Sequence, residues 1–467
     1  MSKSFKGTLE GRKISSDGHR EVAKLPRVPE SDVSYWLNSP NGRSEYTHPL
    51  FRFPAKFHPP IVRWALGKYG RSGSVMLDPF TGSGTAQVEA FVRGISSVGV
   101  DIDPLACLVA KAKTTPIGPK RLRNALEEIE RLLQPHIRAH SDREAREGTD
   151  ISEHRFERET VRLEIPAIPN LTHWFRRYVV IDLARILSAL NEASLARNEN
   201  RFFRACFASI IRRVSNADPA PVSGLEVTSI QAKLNAKRKI KVFDEFLRKS
   251  KKAIGGMEQL WLSRNSKGAR AKARIIQGDA LDIGTLPGKI ALAREGFPLV
   301  ITSPPYCRSV EYSRRHQLEL YWLGFVTSPT QHTSLTHTYI GRKLVRVSDC
   351  DEEKDFGIAA LERRLKRIED CDPSRARSVR HYFHSMREFF AALVQVVRKN
   401  GTVVCIIGDS QCCNVRIPTA DFIAEIASEH FELESRFSYA LRNHYMQYGL
   451  WNGNGIKQEH VLVFKPR

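Results

Sequence analysis

The stretch from Ser74 to Pro104, SVMLDPFTGSGTAQVEAFVRGISSVGVDIDP, constrains the fold more than any other part of the chain. Val75 to Leu77 is a short apolar run with strand character. Asp78 to Gly84 follows as a glycine-rich turn, and Thr85 to Arg93 reads as a helix. A second apolar run, Ile95 to Val100, ends in Asp101, and Leu105 to Lys113 is helical again. This is a β-loop-α-β unit, and it sets the expected fold class as α/β.

The turn carries chemistry as well as topology. Gly82 and Gly84 let the backbone approach a ligand, and the helix that follows presents free N–H groups. Asp101, at the end of the next strand, is placed to accept hydrogen bonds from a ribose diol. The separation of Gly82 from Asp101 is close to the roughly 20 residues of a nucleoside site. No Lys-Ser/Thr pair follows the turn, so a triphosphate loop is not expected. The ligand is then a nucleoside with few or no phosphates; a tight structural turn is the plain alternative.

A second stretch, LVITSPPYCRSVEYSRRHQLELYW from Leu299, ends an apolar run in a stiff corner. The prolines fix the backbone, so that the Pro304 carbonyl is aimed outward as an acceptor beside the Ser303 hydroxyl. Tyr306 offers a flat face for stacking a planar ring. Two acceptors and a stacking face suit a base with an exocyclic amino group; a proline-rich loop with a core tyrosine is the alternative. Arg308, Arg314, Arg315 and His316 come next and are candidates for phosphate contacts. Leu318, Leu320, Trp322 and Leu323 read as core.

The chain has 467 residues and a formal net charge of +22. The length implies one large domain with an insertion, or two to three domains. The charge favours a polyanionic partner, most often nucleic acid. Eight cysteines are scattered without a CxxC pair, which predicts reduced, packed thiols and no zinc site. No apolar run is long enough to span a bilayer, and the N-terminus lacks the apolar stretch of a signal peptide. A cytoplasmic location is expected.

Residues 1–45 are polar and basic and read as a flexible arm. Pro59 and Pro60 fit the first turn of a helix, with Ile61, Trp64, Ala65 and Leu66 as its buried stripe and Gly70 at its end. Residues 118–271 carry helical periodicity and read as a helical insertion, with KLNAKRKIKVFDEFLRKSKKAI as a strongly basic helix. RRVSNADPAPVSG, from Arg212, is either a helix-ending loop or a segment returning toward the cleft. The α/β pattern resumes with ARIIQGDALDI, a strand ending near Asp279. Residues 327–375 read as irregular. SVRHYFHSMREFFAALVQVVRKNG reads as a long helix ending at Gly401, followed by a strand, a helix capped by Thr419 and two final strands. Between those strands lies an aromatic loop with Tyr445, Tyr448 and Trp451, for which packing is the favoured reading.

DPFTGSGT and TSPPY, in this order, resemble the cofactor and catalytic motifs of S-adenosylmethionine-dependent DNA amino-methyltransferases, the second in its N4-cytosine form. AKFHPPIVRWAL is similar to the family's helix at the methionine end, GVDIDP to its ribose-binding acid region, and QGDAL to its adenine-contacting segment. The resemblance spans residues 46–117 and 272–467 as a split catalytic domain and implies a Rossmann-like methyltransferase sheet with helices on both faces. It implies S-adenosyl-L-methionine as cofactor, held by Lys56, His58, Pro59, Asp78, Pro79, Phe80, Gly82, Gly84, Thr85, Asp101 and Asp279. It implies catalysis at Ser303, Pro304, Pro305 and Tyr306, with no metal. The base flips out of double-stranded DNA, its amino group is held by Ser303 and Pro304, and it attacks the methyl directly. Arg308, Arg314 and Arg315 would contact the backbone.

Cytosine-5 chemistry needs a cysteine after a proline, and no Pro-Cys dipeptide exists here, so Cys307 reads as a packed thiol. Serine at position 303, where the adenine enzymes usually carry Asp or Asn, favours cytosine. Adenine N6 methylation, RNA base methylation and a non-catalytic nucleic-acid-binding role are the other readings. Either the insertion or residues 327–375 would read DNA sequence, and a cognate restriction endonuclease is a candidate partner.

Overall fold

The computed structural model describes residues 11–14, 20–23, 45–53, 57–147, 150–218, 224–264, 271–286, 295–308, 311–347, 355–440 and 458–467. In the basic arm, β1 (Gly11–Ile14) pairs antiparallel with β2 (Arg20–Ala23), and the rest of the arm lies outside the described residues. The aromatic loop around Tyr445, Tyr448 and Trp451 also lies outside them.

The β-loop-α-β unit forms as its sequence requires. Helix α1 (Pro59–Tyr69) starts on two prolines that donate no backbone hydrogen bond, and it buries Ile61, Trp64, Ala65 and Leu66. Then come β3 (Val75–Asp78), α2 (Thr85–Val92), β4 (Ser96–Asp101) and α3 (Pro104–Thr114). The insertion is helical: α4 (Pro119–Glu147), α5 (Glu153–Thr160), α6 (Leu171–Trp174), α7 (Arg177–Glu192), α8 (Arg197–Val214), α9 (Ser229–Lys237) and α10 (Val242–Ser263). The basic stretch expected as one helix is broken between α9 and α10, where Ile240 is buried and its N–H donates to the Tyr178 hydroxyl.

The insertion does not fold around a core of its own. Phe202, Phe207, Phe246 and Met257 belong to one apolar cluster with Val88 and Phe91 of α2 and Leu105 and Val109 of α3. The same cluster includes Trp322, which meets Phe175 and Phe207 edge-on at 6.0 and 6.1 Å. The inserted helices are thereby fixed to the back of the glycine-rich unit.

Beyond the insertion, β5 (Ala273–Gln277) and β6 (Phe297–Thr302) complete the first half of the sheet. Four helices follow: α11 (Tyr312–Arg315), α12 (Gln317–Trp322), α13 (Pro329–His337) and α14 (Ala359–Glu369). The last two correct the reading of residues 327–375 as irregular. In α14, Leu361, Leu365 and Ile368 are buried at helical spacing within a run so rich in charge that the stripe is easily missed.

Helix α15 (Pro373–Val394) starts earlier than expected, capped by the Asp372 side chain, and stops before Gly401. Gly401 lies inside β7 (Val397–Gly408), where the pairing with β6 is irregular. A Cβ there would sit 2.9 Å from the Phe297 carbonyl oxygen, so the glycine serves a strand irregularity and not a helix end. A short hairpin, β8 (Ser410–Cys412) and β9 (Val415–Ile417), turns through left-handed Cys413 and Asn414 and was not anticipated. Pro418, not Thr419, occupies the cap position of α16 (Thr419–Ala427). Strands β10 (Phe431–Ala440) and β11 (Gln458–Pro466) close the chain.

The seven-stranded sheet has the order β10-β11-β7-β6-β3-β4-β5. Strands β3 to β7 pair in parallel, and β11 runs antiparallel to both β7 and β10. Alternate residues feed two layers. Met76, Leu299, Ile301 and Val404 pack with α1 and α2, whereas Leu77, Val300, Val403 and Cys405 pack with α15 and α16. The class is α/β, a Rossmann-like, doubly wound sheet with helices on both faces and a helical insertion. The chain leaves β3 toward β4 on one side and later returns through β6 on the other. That reversal opens a crevice at the carboxyl ends of β3 and β6. No helix among the described residues is long and apolar enough to cross a membrane.

Candidate active site

A cleft of about 800 Å³, including its open mouth, occupies that crevice. Its walls come from the residues that follow four parallel strands: Pro79 and Phe80 after β3, Asp101 at the end of β4, Asp279 after β5, and Ser303 and Pro305 after β6. Phe53 and Phe57, ahead of α1, and residues 338 to 340 close it from the sides.

The floor is a set of buried hydrogen bonds around Asp78. This carboxylate is 1% exposed and accepts from the Phe80 N–H at 3.2 Å, the Gln87 side chain at 3.4 Å and the Thr302 hydroxyl at 2.9 Å. Burial pushes its pKa up to about 7 against those hydrogen bonds. The Thr302 bond joins the glycine-rich turn directly to the proline corner, 224 residues further along the chain. Gly82 and Gly84 both have positive φ, and at Gly84 a Cβ would lie 2.9 Å from that of Ala110. The second glycine therefore lets α2 start against α3.

Asp101 uses both oxygens on backbone: Oδ2 accepts from Gly82 N–H at 2.6 Å and Oδ1 from Asp103 N–H at 2.9 Å. Burial, and then the neighbouring Asp103 charge, raise its pKa to about 7. The two bonds fix the carboxylate at the cleft lip, and each oxygen keeps a second lone pair for a ligand hydroxyl. Asp103 caps α3 through Leu105 N–H at 2.8 Å, and its other oxygen meets His316 Nδ1 at 2.9 Å. Asp279 accepts from Leu281 N–H at 2.9 Å, and burial raises its pKa.

At the Ser-Pro-Pro-Tyr corner, Ser303 and Pro305 line the cleft, Pro304 is buried beneath them and Tyr306 is half-buried beside them. The Tyr306 hydroxyl donates to Glu459 Oε1 at 2.7 Å. Gly341, at φ 78°, lets the returning chain pass the corner, since a Cβ there would lie 3.1 Å from the Tyr306 carbonyl.

The structure brings Pro79, Phe80, Gly82, Thr85, Asp101, Asp279, Ser303 and Pro305 into one cleft. Asp78 and Gly84 support it from below. Lys56 lies outside the described residues. His58 and Pro59 start α1 without lining the cleft; Phe57 lines it in their place. Among the phosphate candidates, Arg314 is half-exposed, with Nη2 3.7 Å from Glu226 Oε1, and Arg308 donates to the Lys343 carbonyl at 3.2 Å. Arg315 and His316 are corrections: they are 5% and 1% exposed. Arg315 ends α11 and His316 links it to α12, against the insertion, where Arg212 donates to the Arg315 carbonyl at 3.3 Å. Arg212 also holds the Asp218 and Gly224 carbonyls, which places these two residues beside this segment, while residues 219–223 between them lie outside the described residues.

Sequence reasoning missed Phe53, Tyr312, Tyr339, Asp103 and Glu459. Asp103 had a readable signal, an acidic residue directly before Pro104 at a helix start. The others come from segments with no local pattern that points to the cleft.

Carboxylates from three strand ends and a cleft at the switch point of a seven-stranded sheet mark a candidate ligand site of this α/β fold. In sequence the chain is similar to type II methyltransferases. It is 27% identical to M.MvaI of Kocuria varians over 337 residues, 69% of this chain and 67% of that protein. It is 27% identical to M.BsoBI of Geobacillus stearothermophilus over 68% of this chain and 60% of that protein, less than two thirds of its length. It is 34% identical to M.MjaII of Methanocaldococcus jannaschii over 95 residues, 20% of this chain and 18% of that protein. No family model matches the chain.

Proposed function

We propose that this chain is a site-specific DNA methyltransferase of a type II restriction-modification system. It methylates the exocyclic amino group of a flipped base in double-stranded DNA, cytosine N4 in preference to adenine N6. The observation that carries the reading is the Thr302–Asp78 hydrogen bond, which brings the glycine-rich turn and the Ser-Pro-Pro-Tyr corner to one cleft. The similarity to type II methyltransferases supports it. The cognate restriction endonuclease and a cytoplasmic location belong to the same proposal.

The cleft fits S-adenosylmethionine. A protein with a net charge of +22 gathers Asp101, Asp103 and Asp279 in this one cleft, which suits a cationic ligand. Asp101 is the acceptor for the ribose, Asp279 for the adenine, and the turn from Pro79 to Thr85 passes beneath the methionine part. When bound, S-adenosylmethionine supplies an electrophilic methyl group on sulfur.

The chain's own residues act on the other reactant. Ser303 and the Pro304 carbonyl accept hydrogen bonds from the amino group and orient its lone pair. Tyr306 stacks on the base ring. Phe53, Phe57 and Phe80 exclude water from the meeting point. The side chains supply no nucleophile, so positioning and electrostatics account for the rate. Serine in place of a carboxylate or amide supports cytosine. Arg308 and Arg314 contact the phosphates beside the flipped base.

Single-molecule sequencing of DNA from cells expressing the chain tests the proposal. N4-methylcytosine in one sequence context is the expected result. N6-methyladenine would overturn the base assignment. Unmodified DNA from a protein that still binds S-adenosylmethionine by calorimetry would shift the substrate to RNA, and absence of binding would overturn the enzymatic reading.

A further inference from the structure

Tyr306 is held at both ends. On the backbone side, Pro304 and Pro305 restrict the chain that leads into it. On the ring side, its hydroxyl donates to Glu459 Oε1 at 2.7 Å. Glu459 stands near the start of β11, where it pairs with Tyr439 of β10 and Gly408 of β7. Its second carboxylate oxygen accepts from the hydroxyl of that same Tyr439. Tyr439 is 3% exposed, and its ring lies 6.4 Å from that of His58 at an interplanar angle of 29°. One carboxylate thus ties the catalytic corner to the antiparallel edge of the sheet and, through Tyr439, to the start of α1.

We propose that Glu459 is the positioning residue for Tyr306: its carboxylate fixes the ring as a stacking platform before a base arrives. This inference rests on the methyltransferase reading. A tyrosine ring turns about two side-chain torsions, and a base can stack only on a narrow range of ring orientations. Fixing the hydroxyl removes that freedom before binding, which improves target binding without any new contact to the base. A carboxylate suits the task because it only accepts, and both phenols donate to it. Without it, the Tyr306 hydroxyl loses its acceptor in a half-buried site and the ring turns to find another.

The test is transfer of tritiated methyl from S-adenosylmethionine to unmodified plasmid DNA by the full chain. Wild type, Glu459→Ala, Glu459→Gln and Tyr439→Phe are assayed together with cofactor calorimetry and thermal unfolding. Glu459→Ala is expected to lower kcat/KM for DNA by at least about tenfold while cofactor affinity holds within about twofold. Glu459→Gln keeps one acceptor and offers a donor to the other phenol, so it should recover most of the loss. Tyr439→Phe, which leaves the Tyr306 bond in place, should fall between wild type and Glu459→Ala. Wild-type transfer by Glu459→Ala overturns the inference, as does an equal loss in the Ala and Gln variants. No transfer by the wild type overturns the methyltransferase reading, and this inference with it.

Discussion

The two ends of the cleft are built in opposite ways. The end at the glycine-rich turn is mostly local: Asp78, Gly82, Asp101 and Asp103 lie within one β-loop-α-β unit and share its backbone hydrogen bonds, with Thr302 and His316 reaching Asp78 and Asp103 from outside. The end at the Ser-Pro-Pro-Tyr corner is assembled from distant pieces. Tyr306 is held by a residue 153 positions away, and Tyr339 reaches the cleft from a segment beyond three short helices. A site made from one continuous unit is preformed as soon as that unit folds. A site made from several segments depends on the whole sheet being complete, so its geometry is more easily disturbed.

The largest expected effect separates the two ends. Ser303→Ala should lower methyl transfer to DNA by roughly 10²–10³-fold, the scale of losing one catalytic hydrogen-bonding group. Calorimetric affinity for S-adenosylmethionine should stay within about twofold. Asp101→Asn should do the reverse: cofactor affinity falls by about tenfold or more, and turnover at saturating cofactor changes far less. If each variant lost both properties, the two ends would not be separable.

The next effect concerns the floor shared by both ends. Asp78 is fully buried and its pKa is raised to about 7 from an ordinary value near 4. Between those values the folded protein holds a proton that the unfolded chain has released, so stability falls as pH rises from about 4 to about 7 and levels off above. The full shift corresponds to about 4 kcal/mol as an upper limit. Asp78→Asn should remove that part of the pH dependence, seen as a flatter thermal midpoint between about pH 4 and about pH 7, the window in which the group titrates. The Gln87 carbonyl oxygen, which is buried without a hydrogen-bond partner, is available to accept from the new amide once the Gln87 side chain turns over. A variant that keeps the wild-type slope would show that Asp78 ionises normally.

The same division explains what was readable in the sequence. The strand, the glycine turn and Asp101 follow one another within a short window, so periodicity and turn chemistry reveal their structure and mark a candidate ligand site. The Ser-Pro-Pro-Tyr corner is equally compact and was placed correctly at the end of β6. Glu459, Tyr339 and Phe53 carry no local sign, because their positions follow from strand order and chain return. The misplaced helix end at Gly401 has a similar origin. A glycine after an apolar helical run looks like a stop signal, and only the pairing of β7 with β6 shows it in a strand irregularity. His316 and Arg315 were misread because charge suggests a surface, whereas the insertion covers them.

The smallest predicted effect tests that last distinction on two adjacent arginines. Arg314 is half-exposed, and its pairing with Glu226 at 3.7 Å joins two exposed side chains, which contributes little to stability. Arg315 is buried, and burial together with the nearby Arg212 lowers its pKa to about 10, still charged at neutral pH. Arg314→Ala should weaken DNA binding by roughly threefold at moderate salt and reduce the salt slope of the binding constant by about one, with thermal stability unchanged. Arg315→Ala should leave the salt slope alone and lower the thermal midpoint, because it removes a packed side chain from the join between the insertion and the helices after the corner. Salt titrations of DNA binding for the two variants, beside their melting curves, decide the matter. A reduced salt slope in Arg315→Ala would mean that the buried guanidinium reaches a phosphate after all, and that the segment after the corner opens when DNA binds.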